Sequence, residues 1–232
     1  MRERLAAVRD RIERAAARAG RKASEVKLVA VSKTFPAAAV REAFAAGLRE
    51  FGENKVQEAE AKVAALQDLR EAGARFHLVG HLQSNKARKA VATFDRIHSV
   101  DSIELGRKLD QMASELGRSL QLLVQVDLGR EETKFGLDEQ QLLPTLEALR
   151  GLKSVHVDGL MTMPPASDDP EAARAFFRRL REHRDQAVRD GLLEGGELSM
   201  GMSHDLEVAI EEGATFVRVG TALFGDRTKP TA

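Results

Sequence analysis

The sequence predicts an α/β protein, a single (β/α)8 TIM barrel preceded by one extra N-terminal helix. Short apolar runs typical of strands alternate about eight times with longer amphipathic segments. Several of the strand-like runs, such as LQLLVQV and SVHVDGLM, are apolar on both faces, which is typical of parallel strands covered by helices. No low-complexity linker interrupts the 232 residues, so we expect one barrel domain over 1–232.

The first 20 residues predict the leading helix. Leu5, Val8 and Ile12 recur at helical spacing, and Gly20 is a good helix terminator. Charged residues are scattered through this segment and no apolar core region is followed by a cleavage-site pattern. We therefore expect a helix here, not a signal peptide.

The alternation that follows predicts strands and helices in regular order. Strands are predicted at 26–33, 50–53, 76–80, 96–100, 120–128, 155–163, 197–201 and 216–220. Helical segments between them are predicted at 55–70, 84–94, 102–116, 142–149, 170–189 and 204–213. A doubly wound open sheet is the alternative. The nucleotide-binding fingerprints G-x-G-x-x-G and G-x-x-x-x-G-K-[ST] are missing, which favours the closed barrel.

The composition excludes several classes of function. Lys+Arg and Asp+Glu are equal at 36 each, whereas a nucleic-acid-binding protein needs excess positive charge. No run of about 18 apolar residues predicts a membrane span. The chain has no cysteine, so disulfides, thiolate metal sites and thiol nucleophiles are excluded. We expect a cytoplasmic protein without a bound metal.

Two glycine-containing loops predict a phosphate site. In barrels of this kind the active site lies at the carboxyl ends of the strands, and phosphate is commonly held by the loops after strands seven and eight. Those loops read SMGMS (199–203) and VGTALFG (219–225). Glycine lets backbone N–H groups approach an anion, and hydroxyls can donate to it. Ser203 is also expected where a helix begins, which would add favourable charge.

Lys33 ends the first predicted strand, in the stretch LVAVSKTFP. Strand alternation puts Val29, Val31 and Lys33 on one face. Strand eight neighbours strand one in a closed barrel, so an inward Lys33 amine lies beside the phosphate loops. A small phosphorylated aldehyde would form a Schiff base there, and pyridoxal 5'-phosphate (PLP) fits this description.

Arg218 offers a second test of the PLP hypothesis. It lies on the same face of its predicted strand as Phe216 and Gly220. An arginine is one of two side chains used to contact the pyridine nitrogen of PLP. Since guanidinium keeps its proton, it would donate to that nitrogen and leave the ring a weaker electron sink. The alternative is a barrel-rim ion pair of Arg218 with Glu53 or Asp127.

The sequence resembles the pyridoxal phosphate homeostasis protein family, whose barrel is similar to the N-terminal domain of alanine racemase (fold type III of PLP proteins). The matching stretches run in order from about residue 29 to 225: VAVSKTFP, FGENKVQEAE, FHLVGHLQSNKAR, IHSVDS, VDLGREETKFGL, GLMTMPP and LSMGMSHDLEVAIEEGATFVRVGTALFG. The chain departs from the family pattern at Lys55, where an aromatic residue is frequent, and at Asp127, where asparagine is frequent.

The resemblance implies a PLP-binding protein of PLP homeostasis or delivery, with Lys33 as the Schiff-base lysine and Arg218 opposite the ring nitrogen. It implies further cofactor contacts at Asn54, Ser199, Met200, Gly201, Ser203, Gly220 and Thr221. Apo forms of PLP-dependent enzymes are the partners it implies for a carrier. We also expect a monomer or a weak dimer.

The alternative function is a PLP-dependent amino-acid racemase. By resemblance to alanine racemase, that reaction needs a lysine and a tyrosine on opposite faces of the substrate, and this chain contains no tyrosine. Histidine could replace it, and His81 and His204 are the candidates because they lie in loops after predicted strands. We favour packing roles for both and expect no catalytic residue. A class I aldolase with a barrel lysine is a weaker alternative.

Overall fold

A closed barrel of eight parallel strands forms the centre of the protein in the computed structural model, which describes residues 1–129, 135–193 and 195–225. The strands follow one another around the barrel in chain order, and β1 pairs with β9 to close it. A ninth, two-residue strand, β6, pairs only with the end of β5. The predicted barrel is therefore confirmed, and 130–134, 194 and 226–232 lie outside the described residues.

The bounds of the strands are β1 Lys27–Val31, β2 Glu50–Glu53, β3 Arg75–Leu78, β4 Arg96–Val100, β5 Leu120–Asp127, β6 Leu137–Asp138, β7 Val155–Met161, β8 Glu197–Met202 and β9 Phe216–Val219. The helices are α1 Arg2–Arg18, α2 Ala37–Ala45, α3 Val56–Ala64, α4 Gln67–Glu71, α5 Ala87–Thr93, α6 Ile103–Glu115, α7 Leu142–Leu149, α8 Arg174–Arg189, α9 Leu206–Glu211 and α10 Thr221–Phe224. None of the helices in the described ranges is both long and apolar enough to cross a membrane.

The predicted elements are present, with differences at their ends. The first strand ends at Val31, not at residue 33, and the helix after β8 begins at Leu206, not at residue 204. The segment 55–70 forms two helices, α3 and α4, because the chain turns at Leu66, which is fully buried. Helix α2 was not among the predicted segments, although its buried Val40 and Ala43 have helical spacing.

Apolar side chains form two separate layers. Most of the core lies between the outer helices and the outward faces of the strands. A second, small cluster fills the inside of the barrel and contains Val29, Val31, Val79 and Phe216. Gly52 leaves room for it, since a Cβ at this position would lie 2.9 Å from a methyl group of Val29. The small size of this inner cluster leaves space inside the barrel for polar side chains.

Charged side chains lie at the amino-terminal mouth of the barrel. Lys27 bonds to Glu197 at 2.5 Å, and Arg96 lies 3.0 Å from the carboxylate of Asp158. Burial raises the pKa of Asp158 to about 6, although the attraction of Arg96 opposes the shift. One oxygen of this carboxylate is buried with no hydrogen-bond partner among the described residues. The ionised form of Asp158 is therefore costly in the folded state.

Replacing Asp158 with asparagine tests this cost. Because the pKa of Asp158 is raised on folding, its contribution to stability is lost as the pH rises from below about 4 through about 6. We expect the wild type to lose about 1–3 kcal/mol relative to Asp158→Asn across this window, and nothing further above about pH 7. Denaturant unfolding at a series of pH values measures the difference.

Asp190→Asn is the matched control, because it makes the same chemical change at an exposed position. The free energies of unfolding of the two variants should differ from each other only in the pH dependence described for Asp158. Parallel stability profiles for Asp158→Asn and the wild type between pH 4 and 7 would contradict the assignment.

Candidate functional site

Lys33 lies just beyond the carboxyl end of β1 and is half-buried. The residue before it is held from two sides. The Ser32 hydroxyl donates to Glu53 at 2.6 Å, and the Lys62 ammonium donates to the Ser32 carbonyl oxygen at 2.8 Å and to Glu53 at 2.7 Å. Since all three partners are largely buried, the backbone that carries Lys33 is fixed.

The residue after Lys33 has a strained backbone. Thr34 has a φ of +68°, and it is the only non-glycine residue with a positive φ among those that the structure describes. A β-branched residue in the left-handed region costs free energy and persists only where its surroundings enforce it. Phe35 supplies one constraint by stacking on Phe224 of α10, with ring centroids 5.1 Å apart. The turn at Lys33 is thus attached to the segment after β9.

The end of β9 lies against the end of β1. Val29 pairs with Arg218 in the parallel ladder, and a Cβ built at Gly220 would lie 3.3 Å from the carbonyl oxygen of Val31. Thr221 follows at the start of α10 and is exposed. The structure therefore brings Gly220 and Thr221 next to the segment that carries Lys33.

The loop after β8 makes a tight turn beside it. Gly201 has a φ of +87°, and a Cβ there would lie only 2.4 Å from that of Ala209. Ser203 is half-buried, and its carbonyl oxygen accepts a hydrogen bond from Arg11 at 3.0 Å. The Asp205 carboxylate accepts from the Met202 N–H at 2.6 Å. The expectation that a helix begins at Ser203 is wrong, because the turn continues to Asp205 and α9 begins at Leu206.

Burial lowers the pKa of Arg218 to about 10, although the nearby Asp205 carboxylate opposes the shift. Its side chain is buried, and its guanidinium donates to the Ser199 hydroxyl at 2.7 Å and to the Thr162 carbonyl oxygen at 3.0 Å. Both acceptors are neutral oxygens. The alternative in which Arg218 pairs with Glu53 is wrong, since Glu53 bonds to Lys62 and Ser32.

Ser199 and Met200 lie deeper than the sequence suggested. Both are fully buried within β8 and do not belong to the exposed loop. The Ser199 hydroxyl is bonded to Arg218 and to His98, and Met200 is part of the outer core. Neither side chain is therefore in the position expected for a direct phosphate contact.

Asn54 follows the last residue of β2 and lines a cavity of about 380 Å³ at the carboxyl-terminal mouth of the barrel, together with Gly80 and His81. Close approach of the two strand ends requires Gly80, because a Cβ there would lie 2.3 Å from the Asn54 carbonyl oxygen. Asn54 is half-buried. Its position at the strand end agrees with that of a residue near the mouth.

Two histidines inside the barrel extend the contacts of Arg218. The His98 ring lies 2.8 Å from the Ser199 hydroxyl through Nδ1 and 2.9 Å from His77 through Nε2. His77 in turn bonds to Glu50 at 2.6 Å. Burial lowers the pKa of His98 well below its usual value. Sequence analysis missed this chain, although strand alternation puts His77 on the same face as Val79.

The two histidines considered as a second base are placed differently. His81 stacks on Phe135 with centroids 3.5 Å apart, and its Nδ1 lies 3.3 Å from Asp101. His204 is exposed and bonds to the carbonyl oxygen of Asp168 at 2.9 Å. Across the described ranges, no group of three His, Asp or Glu side chains could hold a metal ion.

The donor set at this mouth fits a phosphorylated aldehyde with an aromatic nitrogen. Lys33 supplies an amine, and the buried Arg218 supplies N–H donors. Glycines at 201 and 220 let the backbone come close to a ligand, and Ser203 and Thr221 add hydroxyls. A guanidinium has five N–H donors, and the bonds to Ser199 and Thr162 use two of them.

Comparison with known proteins places this chain in a family. The family model described as alanine racemase, N-terminal domain, matches residues 4–228. The pyridoxal phosphate homeostasis protein of Aquifex aeolicus (strain VF5) is 44% identical over 225 residues, which cover 97% of each chain. The structure of PipY from Synechococcus elongatus PCC7942 without PLP has 47% identity and a TM-score of 0.87, covering 97% of this chain and 100% of PipY. PipY with PLP bound matches with a TM-score of 0.84 at the same identity, covering 97% and 99%.

Proposed function

Because this chain belongs to the alanine racemase N-terminal domain family, we propose that it binds pyridoxal 5'-phosphate and serves PLP homeostasis, with Lys33 as the covalent attachment point. The observation that carries the proposal is the buried Arg218, held by neutral oxygens beside the strand that leads to Lys33. The full-length similarity to a pyridoxal phosphate homeostasis protein and to PLP-bound PipY supports it.

Each end of the cofactor has candidate partners in this chain. When bound, the cofactor supplies an aldehyde that a lysine amine captures as a Schiff base. Lys33 lies in the segment that joins β1 to α2, and the backbone before it is fixed by Glu53 and Lys62. Ser203, Gly220 and Thr221 are proposed around the phosphate, with Asn54 near the ring.

Arg218 is proposed to donate to the pyridine nitrogen. Because a guanidinium keeps its proton, the ring nitrogen accepts a hydrogen bond and stays unprotonated. An unprotonated ring withdraws electrons from an attached carbon only weakly. Such a site suits the storage of a reactive aldehyde better than its use in breaking bonds.

We propose that the protein is a carrier and not an enzyme. A racemase of this fold needs a second base opposite the lysine, and the chain has no tyrosine. His81 is engaged by Phe135 and Asp101, and His204 is directed to Asp168. Apo forms of PLP-dependent enzymes in the cytoplasm are the proposed recipients, and a monomer or weak dimer is the proposed state.

Lys33→Ala tests the attachment point. We expect this variant to fold like the wild type but to lose covalently held PLP, because the other amine near the end of β1, that of Lys62, is engaged by Glu53 and the Ser32 carbonyl oxygen. Borohydride reduction followed by mass measurement of the intact chain detects the covalent adduct. Lys55→Ala, an exposed lysine at the same mouth, is the control and should retain it. Retention of the adduct at the same site in Lys33→Ala would contradict the assignment.

Replacing Ser203 and Thr221 together with alanine tests the phosphate contacts. Loss of two hydroxyl donors to a phosphate should weaken PLP binding by about 10- to 100-fold, since each bond to a charged group contributes about 1.5–3 kcal/mol less any rescue by water. Pyridoxal, which lacks the phosphate, is the control ligand and should bind both proteins alike. Equal affinity of the double variant and the wild type for PLP would exclude both residues from the phosphate site.

Exchange of the α-proton of amino acids separates a carrier from an enzyme. PLP-loaded protein is incubated in D2O with a panel of L-amino acids, and deuterium incorporation is followed by NMR. We expect no exchange above that caused by free PLP, because a second base is missing and Arg218 keeps the ring a weak electron sink. Exchange that is catalytic and lost in Lys33→Ala would show a working enzyme and contradict the carrier proposal.

A further inference from the structure

A continuous chain of hydrogen bonds crosses the inside of the barrel from its amino-terminal mouth to Arg218. Its members lie on β2, β3, β4, β8 and β9. The links are Glu50 to His77 at 2.6 Å, His77 to His98 at 2.9 Å, His98 to Ser199 at 2.8 Å and Ser199 to Arg218 at 2.7 Å. Glu50 and His77 line a cavity of about 460 Å³ that opens at this mouth.

The residues at the two ends of this series of hydrogen bonds determine which group donates at each link. Arginine carries only donors, so Arg218 donates to Ser199. The pKa of Glu50 is lowered, because the hydrogen bond to His77 and nearby positive charges outweigh the effect of burial. Glu50 is therefore a carboxylate at neutral pH and can only accept, so His77 donates to it through Nε2.

The interior links follow from these ends. With a single proton, placed on Nε2, His77 accepts through Nδ1, so His98 donates through Nε2. The His98 Nδ1 is then an acceptor, and the Ser199 hydroxyl donates to it. With one proton on each ring, the opposite direction would place the bare Nε2 of His77 against a carboxylate oxygen of Glu50, which leaves two acceptors in contact.

A doubly protonated His98 would break this pattern. It would place a cation inside the barrel near Arg218 and Arg96, both of which disfavour it. His98 is fully buried, and its ring makes a T-shaped contact with Phe216 at a centroid distance of 5.4 Å. Burial and the neighbouring cations therefore keep His98 neutral, in agreement with the strong lowering of its pKa.

We propose that Glu50, His77, His98 and Ser199 form a one-way hydrogen-bond relay that orients Arg218 toward the cofactor ring. The Ser199 hydrogen is committed to His98, so Ser199 offers Arg218 only lone pairs. With Thr162 as its second acceptor, the guanidinium is fixed in one orientation, and its remaining N–H donors are available to the ring nitrogen. This inference rests on the proposed PLP site, in which these four are positioning residues that do not touch the cofactor.

The first test needs neither cofactor nor variant. Uniformly 15N-labelled protein at neutral pH should show two histidines, of the six in the chain, whose rings are protonated on Nε2 alone. A scalar coupling between the Nε2 of one and the Nδ1 of the other, transmitted across the hydrogen bond, identifies them as His98 and His77. A His98 protonated on Nδ1, or a doubly protonated ring in this pair, would overturn the relay.

Glu50→Gln tests whether the carboxylate sets the direction. An amide can donate as well as accept, so this variant should populate both tautomers of His77 and His98. Glu197→Gln is the matched control, since Glu197 is a carboxylate at the same mouth that bonds to Lys27 instead of a histidine. The histidine spectrum should change in Glu50→Gln and stay as in the wild type in Glu197→Gln. Unchanged tautomers in Glu50→Gln would contradict the proposal.

The cofactor end is tested with PLP labelled with 15N in its ring. His98→Leu removes the acceptor for Ser199, and we expect the ring-nitrogen resonance to shift as Arg218 loses its fixed orientation. His98→Asn restores an acceptor near the position of Nδ1 and should return the resonance toward the wild-type value. The same resonance in all three proteins would separate the relay from the cofactor and overturn its positioning role.

These readouts distinguish failure of the relay from failure of the proposed function. Wild-type protein that holds no PLP but shows the expected tautomers would contradict the proposed function and leave the hydrogen-bond order standing. Wild-type protein that holds PLP on Lys33 but shows other tautomers would contradict the relay alone.

Discussion

Burial of the Arg218 guanidinium inside the barrel is the constraint on which the rest of the site depends. Removing a cation from water costs several kcal/mol unless hydrogen bonds and opposite charge compensate. Here the direct acceptors are the Ser199 hydroxyl and the Thr162 carbonyl oxygen, and neither carries a charge. The inside of this barrel is accordingly less apolar than the layers of branched side chains usual in the fold.

The polar interior and the strained turn have one consequence in common. Ser199 and His98 fix the arginine from within the barrel, whereas Glu53 and Lys62 fix the backbone before Lys33 from behind the strands. The left-handed Thr34 sits between this support and the Phe35–Phe224 stack. Both groups proposed to hold the cofactor are therefore attached to rigid parts of the molecule, which lowers the entropy lost on binding.

The same rigidity bears on the difference between holding a cofactor and using it. A guanidinium fixed opposite the pyridine nitrogen, as proposed, would keep that nitrogen unprotonated and limit the electron demand of the ring. Chemistry at the carbon of a bound amino acid would also need a base on the face opposite Lys33. Of the two histidines considered for that role, His81 lies 3.3 Å from Asp101 and His204 bonds to the carbonyl oxygen of Asp168.

Local patterns determined the architecture and the identity of the main candidates. Hydrophobic periodicity predicted the eight barrel strands, and strand alternation predicted that Lys33 and Arg218 face the inside of the barrel near the same mouth. Both predictions were possible because these patterns are properties of neighbouring residues in the chain. The family resemblance implied a cofactor contact at Ser199, whereas the Ser199 hydroxyl bonds to side chains from β4 and β9 that strand patterns alone do not bring together.

Tertiary structure alone decided the polar chain behind Arg218. Glu50 and Ser199 are distant in sequence and become linked only because the closed barrel brings their strands around a common axis. The direction of that chain depends on a carboxylate at one end and a guanidinium at the other. Sequence fixes which side chains can donate or accept, but closure of the sheet decides which of them meet.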